Sequence, residues 1–245
     1  MHTLSWIMSD SVQQDKKRKA ETHRTYLKAM GIDVCLLKSN LKAIPDKIER
    51  VRNQQDASLS DEEKIQSLSQ VVSICKKCKL HETRTQTVFG VGSIDATCFF
   101  IGEGPGQEED RKGEPFVGRA GQLLDNMLLA IKLKRENVYI ANIVKCRPPE
   151  NRNPEKNEIE SCLVYLEEQI SITTPKLLVA LGKVAAQALL DTESPISKLR
   201  GTLHASRFNV PVFVTYHPAY LLRRPSEKVK SWDDFTFINE FLQQK

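Results

Sequence analysis

Between Phe99 and Asp110 an apolar run gives way abruptly to Gly102-Glu103-Gly104-Pro105-Gly106-Gln107-Glu108-Glu109-Asp110. Strand ends followed by glycine-rich turns are where open α/β sheets build their sites, because backbone there can approach a ligand closely. Each carboxylate at such a place must stay solvated or find a partner. Acids beside the turn repel a bare phosphate, which argues against a nucleotide-phosphate cradle. A site that faces developing positive charge, or that positions a water, suits this cluster of acids better.

Cysteine supplies the second chemistry. Cys75-Lys76-Lys77-Cys78 is a C-x₂-C pair, and its lysines favour thiolates electrostatically. Cys146 follows an expected strand and Cys162 lies in the next expected helix, with fifteen residues between them. The two pairs can converge on one metal. Spacing does not separate structural zinc, the commoner use of four thiolates, from an iron–sulfur cluster. A chance or redox pair at Cys75 and Cys78 is the third possibility. Cys98 and Cys35 read as buried or incidental thiols.

Three more positions carry chemistry. Phe116, in Pro115-Phe116-Val117-Gly118, is either a core plug or a stacking platform for a planar ring. Asn142, inside Tyr139-Ile140-Ala141-Asn142-Ile143-Val144, needs a hydrogen-bond partner in a buried strand. That partner is either a neighbouring backbone group or a base edge, which an amide can read with both a donor and an acceptor. His217 ends another apolar run before Pro218, on the same sheet edge as Glu103, where it could donate to a developing anion. Beyond it, Leu221, Leu222, Arg223 and Arg224 are either ordinary amphipathic helix surface or a wedge-and-phosphate combination for a duplex.

The elements that must position these residues alternate. Strands are expected at Thr97–Gly102, Val138–Val144, Leu177–Leu181 and Val212–Tyr216, each a short apolar run of the kind buried on both faces. Helices are expected at Gly118–Ile131, at Pro154–Ile170 with Asn153 and Pro154 opening it, at Lys183–Leu190 and at Lys228–Gln243. The expected fold is a three-layer α/β/α domain at residues 71–245 around a mainly parallel four-stranded sheet.

Residues 1–70 are polar and carry the basic run Lys16-Lys17-Arg18-Lys19. They read as a helical and flexible extension, with a helix at Thr22–Met30 and another from a capping box at Ser60-Asp61-Glu62-Glu63. Leu4, Trp6, Ile7 and Met8 are too few for a secretory apolar region, and no run is long enough for a bilayer, so a cytoplasmic, membrane-free protein is expected. A net charge of +5 is compatible with nucleic acid without requiring it.

Taken together, these residues resemble the family 4 uracil-DNA glycosylases, the iron–sulfur branch of that superfamily. Gly102 to Asp110 is similar to the family's first motif, and Pro115-Phe116-Val117-Gly118-Arg119-Ala120-Gly121 to its continuation. Tyr139 to Pro149 resembles the asparagine strand leading to the third cluster ligand, and His217-Pro218-Ala219-Tyr220-Leu221-Leu222-Arg223 resembles the second motif. The resemblance runs from about Cys75 to the C-terminus. It implies a 4Fe-4S cluster on Cys75, Cys78, Cys146 and Cys162, and single- or double-stranded DNA containing uracil as substrate. It lacks the basic insertion of the branch that traps uracil covalently, so turnover is expected. Tyr26 to Asp33 faintly resembles the start of a replicase clamp-loader psi subunit, and a replication or repair partner acting through residues 1–70 is left open. A monomer is expected.

The roles implied are specific. Phe116 stacks on a flipped uracil, and Asn142 accepts from N3–H and donates to O4. Glu109 walls off the methyl of thymine, His217 stabilises charge on O2, and Glu103 faces the sugar and positions water. Gly104 and Gly106 leave room beside the base. Arg147, Leu221, Leu222 and Arg223 contact DNA. The rival readings are a non-catalytic metal-cluster DNA-binding protein, a redox protein using Cys75 and Cys78, and a sister glycosylase for deaminated purines.

Overall fold

The computed structural model describes residues 59–243. The expected helix Thr22–Met30, the basic run, the psi-like segment and Cys35 lie outside them.

Strand β1 (Val91–Gly92) is followed by β2 (Cys98–Gly102), α2 (Gln107–Lys112), α3 (Arg119–Ala130) and β3 (Tyr139–Asn142). Then come α4 (Lys156–Thr173), β4 (Leu177–Leu181), α5 (Lys183–Leu190), α6 (Ile196–Leu199) and β5 (Leu203–His204). The chain closes with β6 (Val212–Thr215), α7 (Pro218–Arg223) and α8 (Lys228–Gln243). Helix α1 (Asp61–Ser73) precedes them all; its N-terminus is the expected capping box, with Ser60 and Glu63 bonding reciprocally.

The sheet order is β1-β3-β2-β4-β6-β5. Four parallel strands form its centre, as expected, but the sheet has six strands rather than four. The additional two, β1 and β5, are two-residue antiparallel edges. Neither contains enough residues to show an alternation in sequence. At β1 the pairing depends on Gly92, whose φ of 134° suits glycine and where a Cβ would lie 1.9 Å from the Val138 carbonyl oxygen.

Successive side chains of the parallel strands enter opposite layers. Phe99 and Ile101 pack with Leu68 and Val72 of α1, Leu166 of α4 and Ala186 of α5. Cys98 and Phe100 pack with Leu124 and Leu128 of α3 and Phe235 and Ile238 of α8. Both faces are covered, giving the three layers expected. The chain leaves central β2 for β3 on one side and later reaches β4 on the other, so the carboxyl end of β2 borders a crevice between diverging connections.

Two local expectations are corrected. Helix α4 begins at Lys156 with Glu155 as its cap, not at Asn153-Pro154, because Glu155 and Glu158 form a reciprocal capping box. The acidic turn is itself partly helical: Gly106 caps α2, and Gly113 ends it in the left-handed conformation at φ 79°.

Candidate active site and thiol cavity

A cleft of about 660 Å³ opens at the carboxyl ends of the parallel strands, lined among others by Glu103, Gly104, Gly106, Glu109, Phe116, Asn142, His217 and Arg223. The register explains the convergence. Gly102 pairs with Asn142 across β2 and β3, and Leu181 with Thr215 across β4 and β6. Glu103 and His217 therefore emerge just past the same edge.

Asn142 is 2% exposed, and its Oδ1 is buried without a hydrogen-bond partner. A buried acceptor left open in this way costs about 1–3 kcal/mol. Gly102 makes room for it: a Cβ there would sit 2.4 Å from Asn142 Oδ1 and 2.5 Å from Phe116 Cζ. The Phe116 and His217 rings lie 5.5 Å apart, centroid to centroid.

The His217 Nδ1 accepts from the Ala219 backbone N–H at 3.1 Å, capping α7. In the neutral ring the proton then resides on Nε2, which is left as a donor. Burial, with Arg223 adding to it, lowers the imidazole pKa to about 4. The ring is neutral at physiological pH. Gly182, which the sequence reading missed, gives it space: φ is 93°, and a Cβ there would approach His217 Cβ to 2.8 Å.

The acids of the motif separate sharply. Glu103 faces the cleft, and burial raises its carboxyl above the ordinary range. Glu108 pairs with Arg111 on the surface. Asp110 is buried and accepts the Thr85 N–H with both oxygens, at 3.0 and 3.1 Å. Glu109 accepts the backbone N–H groups of Val117 and Gly118, each at 2.9 Å, through Oε1. It thereby holds the loop carrying Phe116. Gly106 keeps clear of the same carboxylate, since its Cβ would meet Glu109 Oε2 at 2.7 Å. At Gly104 a Cβ would strike Val144 Cγ2 at 2.8 Å, so this glycine packs the turn onto the neighbouring chain.

Phe116 has φ of 54°, a left-handed conformation costing about 1–3 kcal/mol for a bulky residue. The loop is therefore held from several sides. Arg135, also missed in sequence, donates to the Phe116 carbonyl at 3.2 Å and to the Pro115 carbonyl, and pairs with Asp125 at 3.0 Å.

The expected duplex-facing residues divide. Leu221 is 1% exposed and lies in an apolar groove with Leu123, Met127 and Phe235, so it is no wedge. Neighbours on a helix point about 100° apart, and Leu222, 36% exposed, points outward instead. Arg223 lines the cleft mouth and is exposed. Arg147 donates to Asn151 Oδ1 at 2.9 Å. Arg152 forms a forked pair with buried Glu158 at 2.7 and 2.9 Å.

Cys75, Cys78, Cys146 and Cys162 line one cavity beside α1 and α4. Hydrogen-bond donors point at its sulfurs: Arg84 Nη1 to Cys146 at 2.9 Å, Tyr165 Oη to Cys75 at 3.2 Å, and the Lys145 N–H to Cys162 at 3.2 Å. Burial raises the Cys78 and Cys146 thiols and pushes Cys162 up to about 11, so a cationic centre is needed to hold them as thiolates. Lys145, fully buried, bonds through Nζ only to neutral oxygens, of Asn142 and Gln169. The four thiolates around such a centre would supply its missing counter-charge. Among the described residues, no three cysteine, histidine or acidic side chains gather closely enough for a single ion. Four thiols on one cavity are the donor set of a zinc site and of an iron–sulfur cluster alike.

The fold is a three-layer α/β/α domain with its cleft at the carboxyl edge of the parallel strands. The model of the uracil DNA glycosylase superfamily matches residues 89–243. The chain is 44% identical over 190 residues to a type-4 uracil-DNA glycosylase of Archaeoglobus fulgidus, covering 75% of this chain and 96% of that protein. It is also 44% identical over 170 residues to the type-4 enzyme of Thermotoga maritima, covering 69% and 88%. A type-5 uracil-DNA glycosylase of Pyrobaculum aerophilum is 30% identical over 148 residues, covering 53% and 64%. This chain belongs to the type-4 uracil-DNA glycosylases.

Proposed function

We propose that this protein is a DNA repair enzyme that extrudes uracil from DNA into the cleft and hydrolyses its N-glycosidic bond, leaving an abasic site. The observation that carries this reading is the buried, unpartnered Oδ1 of Asn142 beside the Phe116 ring. Uracil presents N3–H to such an acceptor. Cytosine presents a lone pair there, and a buried mismatch of that kind discriminates strongly.

With the base stacked on Phe116, cleavage puts negative charge on O2 and positive charge on the sugar. The His217 Nε2–H is the donor for O2; a neutral imidazole serves, because the donor need only be fixed in place. Glu103, as the carboxylate, faces the sugar and orients the attacking water. Glu109 is a positioning residue, acting through the Val117 and Gly118 amides. Through that loop it sets how closely the pocket fits C5, where thymine carries its methyl. Leu222, Arg223 and Arg147 meet the DNA, and the glycosylase unit includes α1 and so begins near Leu59 rather than at residue 71.

Cys75, Cys78, Cys146 and Cys162 would hold a 4Fe-4S cluster. Such a cluster would tie the segment after α1, which carries Cys75 and Cys78, to the segment after β3, which carries Cys146, and to Cys162 of α4, and hydrolysis would need no redox step from it. A cytoplasmic monomer suits a role in DNA repair, and no described helix is long and apolar enough to cross a membrane.

The test is incubation of the full chain with single- and double-stranded oligonucleotides carrying one uracil, followed by alkali. Strand scission at the uracil is expected; intact strands at every enzyme dose would overturn the reading.

A further inference from the structure

We infer that Arg135 is a positioning residue for base recognition, a clamp that holds the Phe116 platform in its left-handed conformation without touching DNA. The inference rests on the uracil-binding reading of the cleft. Phe116 would relax from φ 54° if its loop were free, since that region is disfavoured for an aromatic side chain.

Three restraints oppose relaxation. Glu109 fixes the amides after Phe116, at Val117 and Gly118. Gly121 lets α3 approach so closely that a Cβ there would lie 1.7 Å from the Phe116 carbonyl oxygen. Arg135 then takes the two carbonyls that remain, those of Pro115 and Phe116, with one guanidinium. Asp125 orients that guanidinium from α3 at 3.0 Å.

The geometry explains why an arginine is required. Its planar fork presents several N–H donors in fixed directions, which a lysine cannot reproduce. The other face of the same peptide carries the ring that meets Gly102 and Asn142. A shift of the loop by an ångström would move the ring against the base while leaving the phosphate contacts in place. Displacements of that size cost about 100-fold in rate.

Full-length Arg135→Ala and Arg135→Lys provide the test, in two assays. In single-turnover excision from a uracil oligonucleotide, Arg135→Ala should slow the chemical step about 10- to 100-fold with DNA affinity within roughly twofold. Added guanidinium should restore several-fold of the loss where methylammonium does not, and Arg135→Lys should stay near Arg135→Ala. In amide hydrogen exchange, Val117 and Gly118 should exchange about tenfold faster in Arg135→Ala while the sheet stays protected. Unchanged excision, or a loss that guanidinium leaves untouched, would overturn the clamp. Should Arg135→Ala fail to fold, Asp125→Asn must show a smaller effect of the same sign in both assays; no effect there overturns it equally. If the parent chain left uracil in place, the proposed function would fall, while the exchange assay would still decide the clamp.

Discussion

Gly102 and Asn142 stand opposite one another in the parallel register of β2 and β3, and the missing side chain of the first is the space into which the amide oxygen of the second points. A methyl group at residue 102 would collide with Asn142 Oδ1 and with the Phe116 ring at once. Neither neighbour can give way freely, since one is in a buried strand and the other in a restrained loop. Gly102→Ala should therefore lower excision by about 100-fold or more, with a stability loss of about 1–3 kcal/mol measured by urea denaturation. Normal excision would show that the pocket is looser than its contacts.

Asn142→Ala removes the acceptor without adding bulk. Excision of uracil should fall by about 100- to 1000-fold, the scale of losing one oriented polar group at a reacting base. Affinity for an uncleavable duplex should change by less than about threefold, because phosphate contacts dominate it. Single-turnover rates and salt-matched binding curves separate the two. An equal fall in both would count against base reading.

The pH profile follows from two shifts of opposite sign. Burial raises the Glu103 carboxyl, so its anion is lost at a higher pH than usual as acid is added. Burial lowers His217 to about 4, so the ring stays neutral throughout that range. The single-turnover rate should fall with unit slope as pH drops through the raised Glu103 value, and His217 should add no limb above about pH 5. Glu103→Gln should give a slower and flatter profile. A second protonation near the ordinary histidine range would contradict the half-buried, α7-capping imidazole.

Much of this was legible in the sequence, because the strands are apolar on both faces and the glycines and polar residues at their ends mark one edge. Phe116, Asn142 and His217 were identified separately and do share the cleft. The roles of the acids were not legible. Asp110 finds its partner at Thr85 and Glu109 at Val117 and Gly118, contacts made only by the folded loops. Arg135 gave no signal either, since a lone arginine before a strand looks like surface. The two edge strands were too short to carry a pattern.

Leu221 and Leu222 make the helix-phase correction testable. Leu221→Ala removes a buried side chain from the wall of that groove and should cost about 2–5 kcal/mol of stability, with little selective effect on duplex substrate. Leu222→Ala should leave the melting temperature nearly unchanged. It should slow excision from a duplex more than from a single strand, because only the duplex needs a filler for the space vacated by an extruded base. Equal slowing on both substrates would remove the wedge role.

The thiol cavity offers a prediction independent of catalysis. The thiols of Cys78, Cys146 and Cys162 favoured by burial, a buried lysine bonded only to neutral oxygens, and donors aimed at the sulfurs of Cys75, Cys146 and Cys162 all fit one bound centre. Anaerobically purified protein should contain iron and acid-labile sulfide in equal amounts, with broad visible absorption. Zinc in their place would show that the cavity contracts around a single ion. Cys162→Ala should abolish the absorption and lower the melting temperature, because Cys162 ties α4 to the end of β3 through the Lys145 amide. DNA affinity should weaken along with it, since the loop from Cys146 to Cys162 carries Arg147. A variant that loses the colour yet melts and binds like the parent would separate the cluster from the architecture of the site.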